Sequence, residues 1–280
     1  MSLQTEATDL VGPFRKPHNT AAQLKGSIHD DATATRLGFR GGTVAGSLHM
    51  DQFVPQMVEI YGDDWWKKGN LSLYFRQATV HGEAVRVFAR PGEPHTRAWM
   101  ENEAGALVME GTASCAGADP DSELVHRLKG QATAAPEGLR ILAKNRVGDE
   151  AGAIALKVTR AALEQRLQTV PESMPEYAGE RACLPPSMQV ALFRAAQEKI
   201  VKLASPAVGL FGAIELQSTA GPLRADTDYV GRFRILALSE SPKTENIWYH
   251  AWAADPQSGE EVAWMVMYLR FMKASSPLWA

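Results

Sequence analysis

Cysteine is nearly absent from this 280-residue chain, and the two that occur, Cys115 and Cys183, lie far apart with no CxxC or Cys/His spacing. That excludes a disulfide framework and a zinc site, and leaves two thiols expected to be buried in a reducing cytosol. No run approaches the apolar length needed to cross a bilayer, and the N-terminal MSLQTEATDLVGPFRKPHNT has no continuous apolar stretch of the signal-peptide kind. The expectation is a cytoplasmic chain without membrane contact. An excess of positive charge is also missing. With 29 basic side chains against 32 acidic ones the formal charge is -3, so no global field gathers nucleic acid, and none is expected as a partner. GxGxxG, Walker, Gly-x-Ser-x-Gly and HExxH patterns are absent, which removes the obvious nucleotide, α/β-hydrolase and zincin readings. The sequence asks for no metal and no cofactor.

What is present reads like one message stated twice. Val44, Leu48, Val54, Met57, Val58 and Tyr61 recur at spacings of three and four, which predicts a buried helix from Val44 to Tyr61, with Pro55 kinking or ending it. Strand-like runs follow at Leu71 to Val80, Ala84 to Arg90, Arg97 to Glu101 and Ala106 to Ser114. The later chain repeats the order. Leu184-Pro185-Pro186-Ser187 opens a helical pattern through Ile200, and strand-like runs follow at Phe211 to Ser218, Tyr229 to Leu238, Glu245 to Ala253 and Val262 to Met272. The hairpin after Trp99 is echoed by the one after Trp252. Between the copies, an Ala/Gly/Asp/Pro-rich stretch holds one short helical pattern near Ser122 to Leu128. The predicted organisation is α+β, with halves at 1–118 and 151–280 and a linker at 119–150. A helix wrapped by an antiparallel sheet leaves surface that a second copy can cover.

The least generic segment is GSIHDDATATRLGFRGGTVAGSLHM, Gly26 to Met50. Asp31 is suited to cap a short helix from Ala32 to Leu37. Gly41, Gly42 and Gly46 allow close backbone approach to a ligand, and the first turn of the following helix offers unpaired N–H groups that can polarise a carbonyl. An imidazole beside such a pocket relays protons near neutral pH.

This segment resembles the active-site region of the MaoC-like hotdog family, which includes (R)-specific enoyl-CoA hydratases. Their motif runs Asp-x-Asn-Pro-x-His-x-Asp, then a short helix, a Gly-Phe pair and a glycine-bearing start to the central helix. His29 matches the catalytic histidine, Asp31 the second acidic position, Gly38-Phe39 the Gly-Phe pair, and Gly46 the backbone N–H that faces the thioester carbonyl. Leu24 stands where the family has its catalytic aspartate, and Gly26-Ser27 replaces the residues at the Asn-Pro pair. The resemblance implies a tandem double hotdog whose first half carries the site, while the second supplies packing and part of the ligand tunnel.

On that basis His29 is the expected general acid/base, with Asp30 or Asp31 orienting it. Gly42, Gly46, Ser47, His49 and Arg76 are the expected substrate contacts. The implied reaction is hydration or dehydration of an enoyl or 3-hydroxyacyl thioester, carried on CoA or a carrier. Thioester hydrolysis, suggested by Asp51 on the central helix, and acyl binding without turnover stay open, as does a homodimer of fused chains. Capping and solvation explain Asp30 and Asp31 better than catalysis does, and a surface ion pair is the alternative for Arg76. Trp65-Trp66 with Lys67-Lys68 reads as a turn burying one indole. Trp264 to Met272 reads as a central strand buried on both faces.

Overall fold

A computed structural model describes residues 8–131 and 136–279 of the chain; the predicted linker, 119–150, thus includes 132–135, which lie outside the described residues. The strands are β1 (Leu10–Val11), β2 (Asn70–Phe75), β3 (Val85–Arg90), β4 (Thr96–Asn102), β5 (Leu107–Ser114), β6 (Glu150–Leu156), β7 (Gly209–Ser218), β8 (Tyr229–Glu240), β9 (Thr244–Ala254) and β10 (Glu261–Met272). The helices are α1 (Asp31–Arg36), α2 (Gly46–Met50), α3 (Val54–Tyr61), α4 (Asp64–Lys68), α5 (Glu123–Lys129), α6 (Arg160–Leu167), α7 (Pro186–Arg194) and α8 (Gln197–Ile200).

All ten strands form one sheet in the order β1-β3-β4-β5-β2-β7-β10-β9-β8-β6. Read outward from the β2–β7 junction, the two sides follow the same sequence of strands, so the repeated order seen in the sequence is a repeated topology. The hairpins after Trp99 and Trp252 occupy equivalent places in it. Antiparallel pairing at the junction sets Leu71 opposite Leu216 and Leu73 opposite Ile214. These four side chains are buried and join one apolar core.

Period-two burial accounts for the sheet faces. In β3, Val85, Val87 and Ala89 are buried while Arg86, Phe88 and Arg90 are more exposed. On the core face lie the two helical segments, α2–α3 and α7–α8, with α2 packed against α7. The first is continuous. A 3-10 turn at Asp51–Phe53 links α2 to α3, and Pro55 falls in the first turn of α3, where its missing N–H costs least. The second breaks at Ala195-Ala196 rather than running unbroken to Ile200.

The opposite face of the sheet is covered at the junction by α5, whose N-terminus is capped by Ser122. Beneath it, Glu215 is buried and accepts from Asn70 Nδ2 at 2.7 Å, Ser72 Oγ at 3.1 Å and Ser122 Oγ at 2.8 Å. Burial raises the Glu215 pKa, and these donors oppose the rise. The network ties both halves and the segment between them to one carboxylate.

Several expectations change. The run from Leu71 to Val80 is a strand of the sheet only to Phe75; beyond it the chain leaves the ladder, and Val80 bridges Thr43. The Trp65-Trp66 turn is the helix α4, and Trp65 is the indole buried there. The two-residue β1, the Ala/Gly-rich β6 and the weakly amphipathic α6 lacked a sequence signal. β6 becomes a strand because β8 offers an edge to pair with. Cys183 is buried as expected, but Cys115 is only half-buried; both are free, and burial pushes the Cys115 thiol up to about 12. No helix among the described residues is long and apolar enough to cross a membrane.

Candidate active site

The Gly26 to Met50 segment folds as a strap around its histidine. Asp30, not Asp31, takes the N-cap position of α1; its buried carboxylate accepts from Thr33 Oγ1 at 2.8 Å and from Lys25 Nζ at 3.2 Å. The Thr33 bond is the main reason that its pKa falls to about 2. Asp31 instead reaches forward, accepting the Gly42 N–H at 2.9 Å. α1 ends in a Schellman turn: Phe39 N–H bonds Ala34 O, Gly38 N–H bonds Thr35 O, and Gly38 has φ +88°. The Gly-Phe pair is thus a helix stop that turns Phe39 toward the cavity below.

Gly42 has a packing reason. A Cβ there would stand 2.5 Å from the His29 carbonyl oxygen. That close approach lets Thr43 N–H bond Ile28 O at 2.8 Å, which brings the Thr43 carbonyl to His29. The His29 Nδ1 lies 2.8 Å from Thr43 O. A carbonyl only accepts, so Nδ1 carries the proton and Nε2 is left with its lone pair. Burial lowers the His29 pKa; the Thr43 bond opposes this, and the Arg194 guanidinium adds to the lowering. The imidazole is therefore neutral at pH 7.

His29 lines a cavity of about 490 Å³ formed by both halves. Gly46, at the start of α2, lines it as well, and a Cβ on Gly46 would meet the Phe75 ring at 3.0 Å. As the first helical residue, Gly46 has no intrahelical acceptor for its N–H. His49 and Thr79 share the wall. Gln52 Nε2 donates to His49 Nδ1 at 3.3 Å, so His49 Nε2–H donates to Thr79 Oγ1 at 2.6 Å, leaving the threonine proton for another acceptor. Burial holds His49 at about 4, hence neutral.

The structure thus brings together His29, Gly46, His49 and Arg76, and corrects the rest. Asp30 and Asp31 are engaged elsewhere and do not orient the imidazole, which a backbone carbonyl does instead. Gly42 and Ser47 do not line the cavity. Asp51 does not either; it is fully buried and accepts the Ser187 backbone N–H at 2.7 Å. Leu24 sits on the rim, 59% exposed. Among the described residues no carboxylate lines the cavity. Arg76 does, but its Nε donates to Glu110 at 2.6 Å. Among the described residues no group of three or more His, Cys, Asp or Glu is placed to hold a metal ion.

The second half was expected to form part of the tunnel, but sequence reasoning named none of the residues it contributes: Arg194, Gln197, Phe211 and Arg270 all line the cavity. A signal existed for Arg270, the only charge inside the apolar run Trp264 to Met272.

No family model matches the chain, and no curated protein does. Solved structures do match. A putative MaoC domain dehydratase from Chloroflexus aurantiacus J-10-fl superposes with a TM-score of 0.64 at 12% identity, covering 95% of each chain. A conserved hypothetical protein from Mycobacterium tuberculosis, described as having a double hotdog fold, gives 0.61 at 12% identity over 96% of this chain and 97% of its own. The chain has the double hotdog fold. A third structure, a MaoC-like dehydratase, gives 0.54 at 14% identity over 95% of this chain and 98% of its own. Within the double hotdog, the first half supplies His29 and the second supplies the facing wall of the cavity.

Proposed function

We propose that the protein is a cofactor-independent hydro-lyase that adds water to, or removes it from, an enoyl/3-hydroxyacyl thioester carried on CoA or a carrier. One observation carries the reading: the Thr43 carbonyl fixes the His29 tautomer so that an unprotonated Nε2 is left for the cavity that the α2 N-terminus also lines. The thioester oxygen takes the Gly46 N–H, whose dipole stabilises the developing enolate. In hydration, Nε2 removes a proton from water as the water oxygen bonds to C3. The C2–C3 π pair moves onto the thioester as an enolate, and the imidazolium returns the proton to C2. Dehydration runs the same path in reverse. The dehydratase names of two structural neighbours support this class of reaction.

The test is hydration of trans-pent-2-enoyl-CoA by the purified protein, followed by loss of enoyl absorbance. His29→Ala is expected to lower kcat/KM by about a hundredfold or more. Inactivity of the wild type across enoyl-CoA chain lengths would overturn the proposal.

A second reading, acyl-thioester binding without turnover, is favoured by Leu24 at the rim and by the lack of a carboxylate among the described residues that line the cavity. Unchanged substrate after binding, with affinity insensitive to His29→Ala, would establish it. Thioester hydrolysis was suggested by the missing aspartate at Leu24 and by Asp51; the second support is removed, because Asp51 does not line the cavity.

A further inference from the structure

The cavity holds two positive charges that the reaction above does not use. Among the described residues three arginines line it and no carboxylate does. Arg76 is neutralised by Glu110. Arg194 and Arg270 have no ion-pair partner among the described residues. Arg194 donates from Nε to the neutral Gln197 Oε1 at 2.9 Å, and its guanidinium lies 4.8 Å from the Phe211 ring centroid. Arg270 makes one long hydrogen bond, Nη2 to Phe211 O at 3.4 Å, its guanidinium lies 5.9 Å from the Tyr268 ring centroid, and its Nε is buried without a hydrogen-bond partner. Arg194 thus lies on the Phe211 ring and Arg270 reaches the Phe211 backbone carbonyl.

That position fixes which part of a substrate they meet. The Phe211 ring lies 6.3 Å from Phe75, the ring packed on Gly46. Arg194 is also close enough for its charge to act on His29. The phosphates of CoA are a whole pantetheine arm removed from the thioester, so cations lining the same cavity as His29 and Gly46 are placed to meet the acyl portion instead. A buried guanidinium N–H left unpaired is costly, and a carboxylate is the acceptor whose charge and planar geometry match it.

We infer that the preferred substrate is the monothioester of a dicarboxylic acid, whose free carboxylate is held by Arg194 and Arg270 from the second half while His29 works on its C2–C3 bond. This rests on the proposed hydro-lyase reading for the reaction but not for the binding. It also gives the second half a role in specificity.

Two isosteric pairs, each differing by methyl against carboxylate, test it. Glutaconyl-CoA is expected to be hydrated with a kcat/KM about ten- to a hundredfold above pent-2-enoyl-CoA, as charge-assisted hydrogen bonds allow. Arg194→Gln and Arg270→Gln should each collapse that ratio toward one, with Arg194→Lys retaining part of it. Glutaryl-CoA and pentanoyl-CoA, which cannot be hydrated, provide the binding arm by calorimetry, and glutaryl-CoA should bind more tightly by a similar factor. No turnover of either enoyl substrate combined with selective glutaryl-CoA binding would remove the lyase reading and uphold the anion site. Equal binding of the saturated pair would overturn the anion site even in an active enzyme. So would arginine variants that weaken both members equally, because the arginines would then be binding CoA phosphates.

Discussion

Asp51 and Ser187 meet across the junction of the two halves: the carboxylate of the first central helix accepts the backbone N–H at the start of the second, at 2.7 Å. The other carboxylate oxygen is buried with no partner, and burial raises the Asp51 pKa to about 7. The acid that suggested thioester hydrolysis in the sequence accepts a helix-start N–H from the other half.

Its titration gives a first prediction. Between pH 4 and 7 the unfolded chain has released the Asp51 proton while the folded chain keeps it, so this group lowers stability as pH rises through that window. Asp51→Asn lacks this slope. Its stability relative to wild type should improve with rising pH, by at most about 1.4 kcal/mol per unit. Urea unfolding at pH 5 and pH 7.5 reads the difference; a pH-independent gap would show that Asp51 is ionised throughout. His49 acts oppositely in both proteins, since its folded value of about 4 means its contribution is lost as pH falls below 6.5.

The pH dependence of activity follows from His29. Its imidazole must be neutral to accept a proton, and its pKa is lowered, so the acid limb of kcat/KM should fall below pH 6.5. Arg194 disfavours the imidazolium, so Arg194→Gln should move that limb to higher pH. An unshifted limb would mean that the cation is screened from His29.

Gly46→Ala places a methyl group 3.0 Å from Phe75 and should displace the start of α2. About 1 to 2 kcal/mol of stability and at least roughly tenfold in hydration should be lost. Phe75→Leu in the same chain makes room and should recover the stability, as thermal unfolding of both variants would show. Full activity in Gly46→Ala alone would argue against a role for this helix start.

Glu215 satisfies three side-chain donors at the β2–β7 junction. Glu215→Ala leaves the two serine hydroxyls buried without an acceptor and Asn70 Nδ2 with only Gln217 Oε1, and should cost about 3 kcal/mol or more, while Glu215→Gln, which keeps the shape and one acceptor, should cost clearly less. Equal losses in chemical denaturation would mean that packing, and not hydrogen bonding, holds the junction.

Repeated helix-then-strands order, the principal strands and the position of His29 were legible in the sequence because they depend on local periodicity and on one contiguous motif. Gly38 and Phe39 belong with them, since a Schellman turn is local chemistry. Tertiary structure alone decided what lies across space from that motif. Asp31 could be read as a cap but not as the acceptor for Gly42, because eleven positions of intervening chain had first to close into a strap. The carbonyl that orients His29 carries no residue identity and leaves no trace in the sequence. Arg194 and Arg270 come to the cavity only because β2 pairs with β7 and joins two halves into one sheet. Side-chain type and spacing along the chain settled where the histidine is; the charge and the hydrogen-bond partners around it depend on long-range contacts, which only the folded chain supplies.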